Sequence, residues 1–143
     1  MTGFRLTHRS ARLALAGCFV LLFALIGQAA TAPPSGKWLA EDINGGGVID
    51  RLQTTMEIND DGIVTGSGGC NRYAGSAKID GPVIQFLPMA STRMACPPAA
   101  MNQEDRFHKA LEKVRAWRID EPQRKLFLLD KDGFNLIRFS RMD

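Results

Sequence analysis

Three Asp-Gly dipeptides, at 61–62, 80–81 and 132–133, constrain this chain more than any other feature. A two-residue hairpin turn needs backbone with φ > 0, which glycine adopts without penalty, and Asp-Gly is among the strongest short hairpin signals. Each dipeptide lies between two β-like runs. Residues 53–58 face 63–67, residues 73–79 face 83–87 with Pro82 opening the second run, and 126–129 face 134–139. Residues 37–43 supply a first strand. The runs are short and alternate imperfectly, as half-buried antiparallel strands do. The cluster Asn59-Asp60-Asp61-Gly62 lacks the ligand spacing and terminal Glu of a calcium loop, so a hairpin is the better reading.

One helix stands out, over roughly 98–115. Phe107, Ala110, Leu111 and Val114 recur at i, i+3, i+4 and i+7, a stripe suited to packing on a sheet. Proline is tolerated in a first turn. Glu104 and Asp105 lie toward the N-terminal half and Lys113 and Arg115 near the C-terminal end, in the sense the helix dipole favours. One amphipathic helix among seven or eight short strands predicts an α+β domain, an antiparallel sheet curled around or against that helix.

Residues 1–29 read as a secretory signal peptide. Arg5, Arg9 and Arg12 precede an apolar run over 13–26, and Gly27-Gln28-Ala29 offers small residues for cleavage after Ala29. Cleavage after Ala32 would put Pro33 directly behind the cut. The run is shorter than the roughly 20 residues of a membrane span, so an N-terminal membrane anchor is the secondary reading. Leu15-Ala16-Gly17-Cys18 has the composition of a lipobox, but the apolar run continues well past Cys18 instead of ending there. A periplasmic or secreted location follows, with membrane association not expected once the signal is removed. Residues 30–35 form a short tether and 36–141 a single domain. With the leader's three arginines set aside, the remaining 15 basic residues balance the 15 acidic ones, which gives no basic footprint for nucleic acid. Arg115, Arg118, Arg124 and Lys125 are interleaved with acids and read as a solvated face.

Cys70 and Cys96 are the cysteines left after the leader. An even count in an exported chain favours a disulfide, while a reactive thiol and a metal ligand stay open. Cys-x-x-Cys on a thioredoxin-like pattern is absent. His108, the one histidine outside the leader, is expected on the solvent flank of the helix. Neither Gly45-Gly46-Gly47 nor the glycines at 66, 68 and 69 continue into the Gly-Lys-Ser/Thr of a phosphate loop. No nucleophile elbow or zinc-protease motif occurs, so no cofactor is expected and a binding role rises over catalysis. Met89, Met94 and Met101 crowd the region around Cys96 and suit packing or a groove.

Two segments carry a family resemblance. Gly68-Gly69-Cys70-Asn71-Arg72-Tyr73-Ala74-Gly75, followed by Ala90-Ser91-Thr92-Arg93-Met94-Ala95-Cys96 and then Glu104, Phe107 and Ala110-Leu111, resembles the META domain of the HslJ heat-shock family. The resemblance spans about 36–141. It implies a small α+β domain facing the bacterial envelope, associated with heat and antibiotic stress, with no enzymatic activity to transfer to particular residues. Its recurring positions fall here on Asn71, Arg72, Thr92 and Arg93, the candidate binding surface if Cys70 and Cys96 are bridged. Asn71 and Thr92 are equally suited to satisfying local turns. The expected function is that of an exported, non-enzymatic envelope-stress protein that binds an envelope protein or small ligand. A secreted interaction or inhibitor module, or a thiol-dependent enzyme using Cys70 or Cys96 with His108, are the alternatives.

Overall fold

The computed structural model describes residues 1, 3 and 32–142; the expected leader, its cleavage points and the Cys18 motif lie outside that range. Nine strands and one helix follow in order among the described residues. They are β1 (Gly36–Ile43), β2 (Thr55–Ile58), β3 (Ile63–Ser67), β4 (Arg72–Asp80), β5 (Val83–Phe86), β6 (Ala90–Ser91), α1 (Pro98–Lys113), β7 (Ala116–Asp120), β8 (Lys125–Leu129) and β9 (Asn135–Met142). The class is the α+β arrangement expected from the hairpin and stripe signals. All three Asp-Gly pairs turn hairpins, with φ of 81° at Gly62, 53° at Gly81 and 85° at Gly133. Phe134, expected within the last strand, instead stands exposed at the hairpin tip.

The sheet closes on itself. Its order is β3-β2-β1-β9-β8-β7-β5-β4-β6, and β4 also pairs with β3, so eight antiparallel strands form a ring with β6 as a short addition to β4. Closure removes the free edges that an open sheet would present. The seam between β5 and β7 is narrow. It rests on the Val83–Ala116 pair, the Ile84 N–H to the Arg115 carbonyl (3.1 Å) and the Trp117 N–H to the Pro82 carbonyl (3.0 Å). Helix α1 packs against β1, β9 and β5 and turns its apolar stripe into the interior of the ring.

Side-chain alternation does the rest. Trp38 and Ala40 of β1, Met56 and Ile58 of β2, Leu126 and Leu128 of β8, and Ile137 and Phe139 of β9 all point inward. A bulge between Ala40 and Asp42 lets β1 bury Ile43 as well while turning Glu41 outward. From the helix, Phe107 meets Phe139 edge-on at 6.4 Å and Tyr73 at 5.6 Å between ring centroids. At about 1.5–3 kcal/mol per fully buried large apolar side chain, this interior is the main source of stability. On the outer wall Arg118 lies 3.8 Å over the Phe127 ring, and Lys125 pairs with Glu41.

Candidate functional site

The helix stripe contains two polar residues. Positions 100, 103, 104, 107, 110 and 111 are all buried, and two of them are Gln103 and Glu104. A buried polar side chain costs free energy unless its hydrogen bonds are met. Both residues meet theirs by reaching distant loops.

Glu104 holds the turn between β3 and β4. Its Oε2 accepts the Cys70 N–H (3.0 Å) and the Asn71 N–H (2.6 Å), and its Oε1 accepts the Asn71 side-chain amide (2.8 Å). Burial works against ionisation of this carboxyl, yet the hydrogen bonds from Asn71 and Cys70, with some help from His108, keep it below the usual carboxylate range. The contact needs close backbone approach. A Cβ on Gly68 would lie 2.6 Å from Glu104 Cγ, so only glycine fits there. Gln103 acts in parallel: its Oε1 accepts the Ile49 N–H (2.7 Å) and its Nε2 donates to Thr54 Oγ1 (3.1 Å), which donates to the Gly68 carbonyl (2.9 Å).

Asn71 is the centre of this corner. It is 3% exposed. While its amide nitrogen donates to Glu104, its Oδ1 accepts Thr92 Oγ1 (2.9 Å) and the Met94 N–H (2.6 Å). Thr92 Oγ1 also accepts the Arg72 N–H (3.2 Å), and the Thr92 N–H donates to the Arg72 carbonyl (3.0 Å). A Cys70–Cys96 disulfide, with Cα atoms 6.0 Å apart, closes the same corner covalently. Turn 68–72, segment 90–96 and helix α1 are thus tied at one point.

Of the four residues singled out from sequence, the fold gives each a distinct place. Asn71 is buried and is the linchpin beneath the surface. Arg72 and Thr92 lie above it and line a groove of about 730 Å³ on the outer face of β2, β3, β4 and β6. Arg93 is exposed and is not part of the groove wall. Thr55, Thr65, Ser67 and Ala74 complete the face opposite. In the sequence Glu104 carries only the helix-dipole and resemblance arguments and Gln103 draws no attention, so their part in the site was missed. Their place on the apolar stripe is the signal that could have found them.

His108 corrects a second expectation. Its ring packs edge-on against Tyr73 (5.3 Å) and Phe107 (5.5 Å), and its Nε2 is buried without a hydrogen-bond partner. Burial lowers its pKa; the carboxylates of Glu104, Glu112 and Asp105 raise it again, but by less. Burial likewise pushes the Tyr73 phenol up, and its hydroxyl donates to the Thr55 carbonyl (2.7 Å). His108 also lines a second, smaller groove of about 340 Å³ with Met89 and Ser91. Among the described residues no His, Cys, Asp and Glu side chains cluster as metal ligands, and no helix is long and apolar enough to cross a membrane.

Comparison with known proteins bears on this arrangement at two levels. The sequence matches the META domain over residues 31–143. No curated protein matches it. Among solved structures, an NMR structure of a protein from Burkholderia xenovorans shares 22% identity at a TM-score of 0.60, covering 76% of this chain and 82% of that one. A crystal structure of a DUF4847 family protein from Bacteroides vulgatus shares 17% identity at a TM-score of 0.55, covering 76% and 95% respectively. Similarity at that level establishes a common fold.

Proposed function

This chain belongs to the META domain family, and from that premise we propose that it is an exported, non-enzymatic protein of the cell envelope that supports stress tolerance by binding, with the groove above Asn71 as its contact surface. The observation that carries this reading is the investment in one corner. A buried carboxylate, a buried amide and a disulfide fix the backbone that bears Arg72 and Thr92. Core packing alone does not require such a device, because the barrel interior is already closed by apolar side chains. Preorganised backbone lowers the entropy cost of binding. The disulfide supports an oxidising compartment, in keeping with the leader read at 1–29. The thiol-enzyme alternative needs a free Cys70 or Cys96 beside a hydrogen-bonding His108. Their bridged state and the packing of the histidine on two aromatic rings favour binding over catalysis.

The test is complementation of a deletion strain under heat and envelope-directed drugs. Ala74 sits exposed on the groove face, so Ala74→Trp fills the groove from outside without touching the interior. The deletion is expected to sensitise the host, with the parent chain restoring tolerance and the exported, folded A74W variant failing to do so. A deletion strain equal to its parent, or full rescue by A74W, would overturn the proposal.

A further inference from the structure

Side-chain donors are aligned across three neighbouring strands of the groove. Thr55 of β2 stands opposite Ser67 of β3, and Ser67 stands opposite Arg72 of β4. Adjacent strands are about 4.8 Å apart, so the three side chains form one row across the sheet. One lone pair on each of two is already engaged. Thr55 Oγ1 accepts the Ser67 N–H (3.2 Å) and Ser67 Oγ accepts the Gly69 N–H (3.2 Å), which leaves each hydroxyl proton free to rotate and donate to a ligand in the groove. Arg72 is exposed, has no acidic partner among the described residues, and can only donate.

Charge and shape narrow the ligand further. The nearest acid on this face, Glu57, lies one row away opposite Thr65 and pairs with Lys37 (3.9 Å), so it leaves Arg72 uncompensated. Among the described residues Arg72 is the one charged residue lining the groove. A single guanidinium matches a single negative charge, and its planar fork suits the two oxygens of a carboxylate. Ala74 and Ala90 stand side by side in the second row, next to Thr65, and keep the floor low there, leaving room for the body of a ligand over the sheet.

The geometry points to a small monocarboxylate as the groove's ligand, with the carboxylate on Arg72 and its polar body against the Ser67 and Thr55 hydroxyls. This rests on the binding reading above and names its ligand class. Such a group is carried equally by a sugar acid and by a peptide C-terminus.

The experiment is a titration of the isotopically labelled full chain, followed by backbone amide shifts. The probes are glucuronate and N-acetyl-alanine, with glucose, N-acetyl-alanine methyl ester and inorganic phosphate for comparison. Saturable shifts at Ser67, Arg72 and Thr92 are expected with at least one carboxylate, which also identifies the source, and none with the uncharged counterparts. Arg72→Gln should weaken that binding about tenfold or more, as loss of a charge-assisted contact does. Arg72→Lys, which keeps the charge but not the fork, should fall between, and Arg93→Gln should leave it unchanged. No saturable shift with either carboxylate, equal shifts with the neutral probes, binding of phosphate alone, or undiminished affinity in R72Q would overturn the assignment. The complementation result separates the two levels. If A74W fails to rescue while carboxylates do not bind, the ligand class is wrong and the groove stands. If A74W rescues, the groove itself is excluded.

Discussion

Two carboxylates in this barrel are held ionised in opposite ways. Glu104 is buried and held chiefly by neutral donors, two backbone N–H groups and the Asn71 amide. Glu41 sits on the outer wall, made acidic by the cations Lys125 and Arg138, although partial burial works against it. The first ties three separate segments together; the second links neighbouring strands that the ladder already joins. A buried group with specific donors dictates where loops must lie, whereas an exposed ion pair decorates a wall that would form without it.

The largest effect should therefore follow Glu104→Ala. Two backbone N–H groups and one amide would lose their acceptor in a corner with little access to water, a cost of about 4 kcal/mol. Urea denaturation would show it as a lower midpoint at unchanged slope. A midpoint within error of the parent would mean that Glu104 is as dispensable as a surface acid, and the contrast would collapse.

Next comes the covalent half of the corner. The bridge spans a separation of 26 residues, so its removal in Cys70→Ala/Cys96→Ala should cost about 3.5 kcal/mol by loop closure. Since the bridge and Glu104 restrain the same turn, their effects should not add: E104A in the bridgeless background should cost visibly less than in the parent. Strict additivity would show that the two restraints act on independent parts of the fold.

The two carboxylates also differ in how far sequence reveals them. Asp-Gly turns and the apolar stripe are local signals, and they located the hairpins and the helix to within a few residues. Closure of the ring could not be read that way. It depends on β3 meeting both β2 and β4 and on the single-pair seam at Val83 and Ala116, which no local period encodes. Glu104 reaches residues more than thirty positions away. Its type suggested solvent, while its phase along the helix pointed to the interior. Asn71 stood between two readings, a binding surface and the satisfaction of local turns, and the fold buries it in hydrogen bonds to Glu104, Thr92 and the Met94 N–H.

A third, pH-dependent test concerns His108, which packs beside the buried corner. Burial holds its folded pKa below the ordinary 6.5. The unfolded chain therefore binds more protons just below pH 6.5, and stability falls as pH drops through that window. The imidazole faces the Tyr73 ring across from the helix and the carboxylates of Glu104, Glu112 and Asp105 along it. His108→Phe keeps an aromatic side chain and removes the proton site, so the slope below pH 6.5 should flatten. Glu104, whose pKa is lowered from 4.5, contributes stability that is complete above 4.5 and lost as pH falls through its folded value. That lower transition should persist in H108F and vanish in E104A. An unchanged slope below pH 6.5 in H108F would place the titrating group elsewhere.

The smallest effect is expected at Glu41, and its size is what gives the comparison meaning. Its side chain keeps 30% of its exposure, and its partners Lys125 and Arg138 keep 24% and 46%. Water and salt screen such a network, and three side chains must be ordered to form it, so Glu41→Gln should cost about 0.5–1 kcal/mol at low ionic strength. That cost should shrink further in 0.5 M sodium chloride, a concentration at which the Debye length is roughly 4 Å. The cost of E104A should change much less between the two salt concentrations, because the donors that hold this carboxylate are chiefly neutral and buried. If E41Q instead matched E104A in magnitude and ignored salt, the wall network would be a structural anchor in its own right. The strands β1, β8 and β9 would then depend on it as the corner depends on Glu104, and the barrel would have two keystones where the hydrogen-bond geometry indicates one.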